Sequence, residues 1–348
     1  MTELLVGTKK GLFALEGEPG GAFEIIERAF AGEPVEYAMR DPHSGRILAT
    51  MTSPFYGPKI FYGSNGEWTQ ATGVQLPEGG DTALERIWVI VAGEDESTVY
   101  AGGDPGVLFV SRDAGATWEL ERTLWDHPTR PDWTPGGGGL CLHSIVPWPV
   151  GVALSAVGVW LTDDGRRTWR HGNDGLVPRY MPEDAREATI SLCVHDLHRA
   201  PRRPERMFMQ FHGGVYRSDD AGESWTDIGA GLPSDFGFPL ALDPADPDSA
   251  YVIPLAADMD RVTPDVRVRV YETRDAGATW TARGDGLPGE HAYLTILRQA
   301  FDRAGAGEDL ELYFGATSGD VFGSGDAGAT WSAAASHLPP VYSVRTAP

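Results

Sequence analysis

The chain has 348 residues, of which 41% are hydrophobic and 22% are charged, and its formal net charge is −22. A surface with this excess of acidic groups repels phosphate backbones and anionic headgroups, which argues against nucleic-acid and membrane partners. Two cysteines are too few for a disulfide framework, and no apolar run reaches membrane-spanning length, so we expect a reduced, cytoplasmic protein.

The N-terminal segments predict three strands. MTELLVGTKKGLF meets Glu3 at once and lacks the basic and apolar regions of a secretory signal. LLVGTKKGLFALEG reads instead as two strands joined by the turn GTKKG, and FEIIERAF reads as a third strand.

An eight-residue pattern, Ser/Thr-x-Asp-x-Gly-x-Thr/Ser-Trp, then recurs along the chain. It is shortened at 63–68, altered at 162–169, and complete at 111–118, 218–225, 273–280 and 324–331. Successive tryptophans of these copies are 50 to 56 residues apart, which is the period of a four-stranded propeller blade. The Asp and Ser/Thr side chains can bond turn amides, Gly can adopt positive φ, and Trp can bury its ring. We call these segments Asp turns and expect them to fasten two strands without carrying chemistry.

Each Asp turn is followed by a loop and a further apolar strand, which we name strand A, the innermost of the four strands A to D of a blade. Seven A strands are predicted to begin near Val35, Arg86, Leu140, Ser191, Phe238, Tyr293 and Val341. The last has no strands B to D after it, whereas the N-terminus supplies three strands with no strand A before them. The sequence therefore predicts an all-β, seven-bladed β-propeller, one domain over residues 1–348, closed by pairing of the C-terminal strand with the N-terminal blade.

The Asp turns resemble the Asp-box, or bacterial neuraminidase (BNR), repeats of sialidases, the sortilin ectodomain and the photosystem II stability factor. With VGTKKGLFAL, GGGGLCLHSI and LPSDFGFPL, the chain resembles the bacterial sialidase-like BNR-repeat "glycosyl hydrolase" proteins over essentially its whole length. The resemblance implies the fold, whereas enzymes, receptors and assembly factors share the repeat. The Arg-Ile-Pro motif of sialidases does not occur, so we expect a sialidase-like shape without sialidase activity.

The candidate site follows from the two faces of a propeller. C–D connections, which include the Asp turns, lie on one face, and B–C and D–A connections lie on the other, where ligands usually bind. The strands LCLHSIVP and LCVHDLHRAP align without a gap, so His143 and His195 are expected at equivalent positions near the channel mouth. His212, in the B–C turn FHGG, is expected to approach them, and His127, in a long D–A loop, lies farther away.

Three converging histidines can bind a divalent metal with an open position, or they can act as acid–base groups. The alternative is that His143 and His195 are inherited repeat positions that bond to backbone carbonyls inside the channel. Cys141 and Cys193 stand two residues before these histidines, on the same strand faces, and are expected to be small apolar fillers.

Further polar residues are predicted near the same mouth. Arg86 and Asp235 join the three histidines as candidate catalytic residues, and the candidates for substrate binding are Lys10, Glu36, His127 and Tyr180. The leading hypothesis is an enzyme that acts on a small polar, sugar-like or carboxylated substrate by hydrolysis or elimination, with a divalent metal as the one cofactor considered. The alternative is a non-catalytic scaffold that binds a ligand or a protein, as the resemblance to the photosystem II factor implies.

Overall fold

The chain forms seven four-stranded antiparallel sheets, which are the blades of a β-propeller. This computed structural model describes residues 1–64, 66–79, 82–147, 151–186 and 192–347. Every inner strand contacts the inner strands of both neighbouring blades, so the blades close into a ring around a central channel. The predicted fold class is confirmed.

The strands are numbered in chain order, and each blade takes its number from its place in the ring. Blade 1 contains β1 (Thr2–Thr8), β2 (Gly11–Gly17), β3 (Phe23–Ala29) and, as its inner strand, β28 (Val341–Ala347). Blade 2 contains β4 (Val35–Arg40), β5 (Ile47–Ser53), β6 (Gly57–Ser64) and β7 (Glu67–Gln70). Blade 3 contains β8 (Arg86–Ala92), β9 (Val99–Asp104), β10 (Val107–Ser111) and β11 (Glu119–Leu120). Blade 4 contains β12 (Leu142–Val146), β13 (Gly151–Leu154), β14 (Gly158–Leu161) and β15 (Arg170–His171).

Blades 5 to 7 follow the same order from the channel outward. Blade 5 contains β16 (Val194–Arg199), β17 (Met207–Phe211), β18 (Gly214–Ser218) and β19 (Thr226–Asp227). Blade 6 contains β20 (Gly237–Leu242), β21 (Ala250–Pro254), β22 (Val270–Thr273) and β23 (Thr281–Arg283). Blade 7 contains β24 (Phe301–Ala304), β25 (Glu311–Gly315), β26 (Val321–Ser324) and β27 (Ser332–Ala335). One short helix, α1 (Arg122–Trp125), and 3₁₀ turns at Arg130–Asp132, Glu183–Ala185, Pro264–Val266 and Gly307–Asp309 lie in the connections. No helix among the described residues has the length and apolar character needed to cross a membrane.

The ring is closed by the two ends of the chain, as predicted. β28 pairs antiparallel with β1, from Glu3 opposite Ala347 to Thr8 opposite Val341. Arg345 adds a second connection, because its Nε donates to the Tyr37 hydroxyl of blade 2 (2.8 Å) and its Nη1 donates to the Phe301 carbonyl of blade 7 (2.9 Å). One side chain of the closing strand therefore holds both neighbouring blades.

The Asp turns connect strands C and D and are held by their own side chains. In the turn at 111–118, Asp113 accepts hydrogen bonds from the backbone N–H (2.8 Å) and the hydroxyl (2.7 Å) of Thr117. Ser111 Oγ accepts the N–H of Gly115 (2.9 Å), whose φ of +87° suits glycine. Trp118 is buried and donates its indole N–H to the Gly115 carbonyl (2.9 Å). The apolar core lies between adjacent blades, against these tryptophans.

A β-bulge occurs near the start of most inner strands. The register shift leaves one extra residue in each of β4, β8, β12, β16 and β28: Glu36, Trp88, His143, His195 and Tyr342. A bulged residue leaves the regular alternation of the strand, which changes the direction of its side chain. The equivalence predicted for His143 and His195 is therefore an equivalence of bulge positions.

Two of the seven predicted inner strands do not begin where the sequence placed them within the described residues. The start predicted near Ser191 lies outside the described residues, and the strand described there begins at Val194. The start predicted near Tyr293 is wrong, because β24 begins at Phe301. The preceding segment bonds to neighbouring connections instead: the Thr295 hydroxyl donates to the Arg261 carbonyl (2.6 Å), and the N–H of Thr317 donates to the Thr295 carbonyl (2.9 Å).

Candidate functional site

A cavity of about 360 Å³ opens on the face formed by the B–C and D–A connections, at blades 5 and 6. We call this face the upper face and this cavity the upper cavity. Most of its lining side chains are polar: Arg179, Tyr180, His212, Asp235 and Asp258. Two of the predicted catalytic residues and one predicted substrate-binding residue therefore share one cavity.

Three side chains with metal-binding or nucleophilic atoms meet beside this cavity. One ligand atom from each of Cys193, His195 and His212 lies within 4.8 Å of the other two. His212 occupies the two-residue turn between β17 and β18, and its backbone N–H donates to the Cys193 carbonyl (2.9 Å), which holds the turn against the start of β16. We call these three residues the Cys–His cluster.

His195 is fixed by the neighbouring blade. Its Nδ1 donates to the Gly237 carbonyl of β20 (2.6 Å), so Nε2 is the nitrogen that carries the lone pair. Burial, together with the positive charge of Arg298, holds the pKa of His195 well below its ordinary value. The imidazole is therefore neutral at physiological pH and can accept a proton or bind a metal through Nε2.

His212 links the cluster to the cavity. Its ring lies against Tyr180 (centroids 4.3 Å apart) and His195 (5.1 Å), and its Nε2 is 3.7 Å from a carboxylate oxygen of Asp258. Burial lowers the pKa of His212, and the Asp258 charge opposes this effect. One-fifth of the side chain remains exposed, so His212 is accessible from the upper cavity.

Cys193 lies next to a cationic group. The Tyr180 hydroxyl accepts its backbone N–H (2.9 Å). Burial raises the pKa of the Cys193 thiol, and the Arg298 guanidinium opposes this rise. Arg298 lies over the rings of Phe238 (4.5 Å) and Trp88 (5.9 Å), and its Nε is buried without a hydrogen-bond partner among the described residues. Arg298 is not among the described residues that line the upper cavity, so it adds positive charge near the cluster from behind the cavity wall.

His143 does not belong to the Cys–His cluster, which differs from the convergence that the sequence predicted. Its Nε2 lies 2.8 Å from the Val194 carbonyl of blade 5 and 3.1 Å from Ser155 Oγ, and its Nδ1 lies 3.2 Å from Ser144 Oγ. Burial lowers the pKa of His143 to about 3. This residue ties blade 4 to blade 5 through a backbone carbonyl, which matches the structural alternative for that position.

Arg86 and Glu36 form a separate pair in the inner strands of blades 2 and 3. Arg86 Nε is 3.5 Å from a carboxylate oxygen of Glu36, and its guanidinium lies over the Trp88 ring (4.7 Å). Burial raises the pKa of Glu36, whereas the positive charge of Arg86 lowers it. The described structure places both residues at the channel but not in the lining of the upper cavity.

Two predicted substrate-binding residues lie elsewhere. His127 packs edge-on against Trp160 (4.7 Å) and beside Trp133, and its Nδ1 is 2.9 Å from Thr129 Oγ1. Lys10 is exposed in the turn between β1 and β2. Neither residue is among the described residues that line the upper cavity.

A second cavity, of about 480 Å³, lies at the other end of the channel, where the inner strands end. Its polar lining includes His143, Asp196, His198, Asp302 and Arg345. The carboxylate of Asp196 is occupied, because it lies 3.1 Å from His198 Nε2 and accepts the backbone N–H of Leu240 (3.1 Å). This lower cavity is lined by groups that already bond to one another and hold the inner strands together.

Four polar or reactive residues of the upper site were not among the sequence candidates: Cys193 as a reactive group, Arg179, Asp258 and Arg298. The spacing Cys-x-His at 193–195 was a usable signal, because two potential metal ligands one residue apart stay close together whatever the local backbone conformation. Asp258 and Arg298 lie in connections, and no sequence feature connects them with β16.

Comparisons with known proteins agree on the fold. No protein-family model and no curated protein sequence matches the chain. Among solved structures, YCF48 from Cyanidioschyzon merolae is 10% identical (TM-score 0.57; 93% of this chain, 89% of that one), and YCF48 bound to D1 peptide is 13% identical (TM-score 0.52; 90% and 84%). An ancestral GH74 enzyme is 16% identical (TM-score 0.54; 92% of this chain), but the chain spans only 37% of that enzyme's length.

These neighbours are seven-bladed β-propellers. At such identities they establish the architecture of the chain and nothing finer. They do not confirm the BNR or sialidase-like name that the Asp turns suggested. They include enzymes and a peptide-bound protein, so the function has to be argued from the site.

Proposed function

We propose that the chain is an enzyme that acts on a small polar, sugar-like or carboxylated substrate at the upper cavity, by hydrolysis or elimination. The observation that carries this proposal is the meeting of Cys193, His195 and His212 beside a polar cavity of about 360 Å³. A volume in this range suits a small-molecule site, and convergent polar groups are typical of one.

Positive charge beside the cluster favours an anionic substrate group. The chain carries a net charge of −22, yet Arg298 lies beside Cys193 with an unpaired Nε, and Arg179 lines the cavity. Arg179 is held by Asp227 (2.6 Å), which keeps its guanidinium in place at the cavity wall. A planar guanidinium pairs well with a carboxylate, so Arg179 is the proposed anchor, and Arg298 adds positive charge near the cluster.

The reactive groups are the two neutral imidazoles of the cluster. His212 faces the cavity, and His195 lies behind it with Nε2 as its lone-pair nitrogen. In this role they take up a proton from water or substrate, or they bind a metal that activates water. Asp235 and Asp258 line the same cavity and can accept hydrogen bonds from substrate hydroxyls.

Two substrate panels test the proposal. Nitrophenyl glycosides and esters of small carboxylic acids report hydrolysis, and uronic-acid oligomers report elimination through the ultraviolet absorption of the alkene that forms. We expect turnover by the wild type and a loss of at least about 100-fold in His212→Asn, because removal of an acid–base group costs 10²–10⁴. His337→Asn is the matched control, since His337 is exposed in a D–A connection of the same face. Equal turnover in both variants would contradict the proposed role of the cluster.

A non-catalytic scaffold is the second candidate, and exposed apolar side chains favour it. Phe55, Tyr56, Met259 and Tyr293 are each at least 65% exposed, and all four lie in B–C or D–A connections of the upper face. Exposed apolar groups on one face are typical of a binding surface. Absence of turnover on both panels, together with capture of a partner that is lost in the double variant Phe55→Ser/Tyr56→Ser, would favour this candidate.

A further inference from the structure

We propose that Cys193, His195 and His212 bind one divalent transition-metal ion, with Zn²⁺ as the preferred metal, beside the upper cavity. The inference names the cofactor of the site described above. Its catalytic meaning rests on the proposed function, whereas the ligand set stands on geometry alone.

The distances suit a metal after a small adjustment. The three ligand atoms lie within 4.8 Å of one another. In a tetrahedral zinc site with bonds of about 2.0–2.3 Å, ligand atoms are roughly 3.3–3.8 Å apart, so the atoms have to close by about 1 Å. His212 lies in a two-residue turn with Gly213, where rotation of one side chain supplies this movement. Cys193 immediately precedes β16 and His195 is the bulged residue of that strand, so one short stretch of backbone limits their spacing.

The groups behind the ligands support the same conclusion. His195 donates Nδ1–H to the Gly237 carbonyl (2.6 Å), which is the outer hydrogen bond that orients most metal-binding histidines. The Asp258 carboxylate lies beside His212 (3.7 Å) and is placed to do the same for that ring. The rings of Phe236 and Phe238 pack against His195 (5.2 and 4.8 Å) and limit the access of water from that side.

The donor set selects the metal. One thiolate and two imidazoles favour Zn²⁺ and its transition-metal neighbours over Mg²⁺ and Ca²⁺, which prefer oxygen ligands. Three protein ligands beside a cavity leave a fourth tetrahedral position for water or substrate, which is the arrangement of catalytic zinc sites. The upper cavity is therefore where a metal-bound water would meet a substrate.

Cobalt substitution tests the metal site without an activity assay. Chelator-treated, reduced protein is titrated with Co²⁺ and followed by absorption spectroscopy. We expect saturation at one equivalent, visible bands of tetrahedral cobalt, and a near-ultraviolet thiolate-to-cobalt band, all removed by one equivalent of Zn²⁺. Cys193→Ser should lose the thiolate band, and His212→Gln should lose stoichiometric binding.

Cys141→Ser is the matched control. Cys141 is the other free cysteine. It is buried, its Sγ donates to the Gly138 carbonyl (3.2 Å), and it is outside the cluster. Its variant should keep the full cobalt spectrum. Circular dichroism checks the fold of each variant, and if Cys193→Ser fails to fold, the wild type and His212→Gln decide, since His212 lies in a turn.

Three outcomes would overturn the metal site: no cobalt spectrum in folded wild type, a thiolate band that persists in Cys193→Ser, or a band that disappears in Cys141→Ser. Cobalt binding without turnover on the substrate panels would leave the metal site standing and remove the proposed enzyme function. Turnover by protein that shows no cobalt spectrum would support the proposed enzyme function and remove the metal site.

Discussion

The two bulged histidines occupy one repeat position but have different surroundings. Each reaches the next blade through a backbone carbonyl, Val194 for His143 and Gly237 for His195. In blade 4 the B–C turn supplies Ser155, which lies against Nε2 of His143. In blade 5 the corresponding turn supplies His212 instead. The residue in the B–C turn thus decides whether the inner histidine is purely structural or part of a cluster.

The carboxylate of an Asp turn should contribute measurably to stability. Asp113→Ala leaves the N–H and hydroxyl of Thr117 without their acceptor, so we expect the free energy of unfolding to fall by about 1 kcal/mol, allowing for solvent exposure. Asp163→Ala is the control, because Asp163 is largely exposed and its carboxylate lies 3.6 Å from the Arg170 guanidinium, too far for a hydrogen bond. Its effect should stay within about 0.5 kcal/mol in denaturant titrations. Equal losses in the two variants would contradict the assigned role of the turn.

The same carboxylate should make stability depend on pH in the acid range. Burial raises the pKa of Asp113, but hydrogen bonds from Thr117 and Ser111 outweigh this effect and hold the pKa below the ordinary value of 3.8. A group whose folded pKa is lowered stabilises the fold above its unfolded pKa and loses this contribution as the pH falls through its folded pKa. The stability difference between wild type and Asp113→Ala should therefore be constant above about pH 4 and shrink below it. A difference that is unchanged at pH 2.5 would be inconsistent with this linkage.

At the residue scale, the sequence predicted positions better than orientations. The gapless alignment of two inner strands correctly predicts equivalent positions for His143 and His195, which are bulge positions of adjacent blades. It could not show which way each ring nitrogen points, because that depends on the B–C turn beside it. Cys193 was expected to be a filler, since sequence alone does not reveal that its sulfur lies beside two imidazoles.

Deleting the closing strand, β28, tests directly how the ring is closed. Deletion of residues 340–348 removes β28, which buries Val341 and Val344 and carries Arg345. Loss of two buried valines alone costs about 3–6 kcal/mol, so for a chain of this length the melting temperature should fall by at least roughly 4–8 °C. Deletion of Pro348 alone keeps every residue of β28 and is the control. An unchanged melting temperature in the longer deletion would contradict closure by this strand.

Ring closure was predicted correctly by counting strands, whereas the strand predicted from hydrophobic alternation alone at 293–300 was wrong. Closure followed from three unmatched N-terminal strands and one unmatched C-terminal strand, and β28 pairs with β1 accordingly. The alternating segment at 293–300 also looked like a strand. It forms hydrogen bonds with Arg261 and Thr317 in other connections. The local pattern of hydrophobic residues does not predict such long-range contacts.

For the molecule as a whole, we expect no sialidase activity. Sialidases use three arginines at one site, but here Arg40 pairs with Glu3 (2.7 Å) and lines the lower cavity, whereas Arg179 lines the upper one. Arg86 pairs with Glu36 of the adjacent blade. A fluorogenic sialoside should give no turnover above background, with an active sialidase as the positive control. Release of sialic acid that is lost in Arg179→Ala would show that these arginines do assemble.

Repetition made the architecture of the whole molecule predictable. Six Asp turns at near-constant intervals define the blade, and the blade count follows from the period and the chain length. The chemistry of the upper cavity is not repeated. It depends on Arg179, Asp235 and Asp258, which come from three different connections and line one cavity only in the folded ring.

The pairing of β1 with β28 also determines how the ring responds to tension. Because the two strands are antiparallel and Glu3 lies opposite Ala347, both ends of this pair leave the sheet on the same side. A force that pulls the chain ends apart therefore loads one residue pair at a time, from Glu3 and Ala347 toward Thr8 and Val341, as when a zipper opens. Shear of the whole ladder at once would resist far more strongly. A pull on the chain ends therefore separates β1 from β28 first. The other six blades, each formed by one continuous segment, carry the force only after this pair has opened.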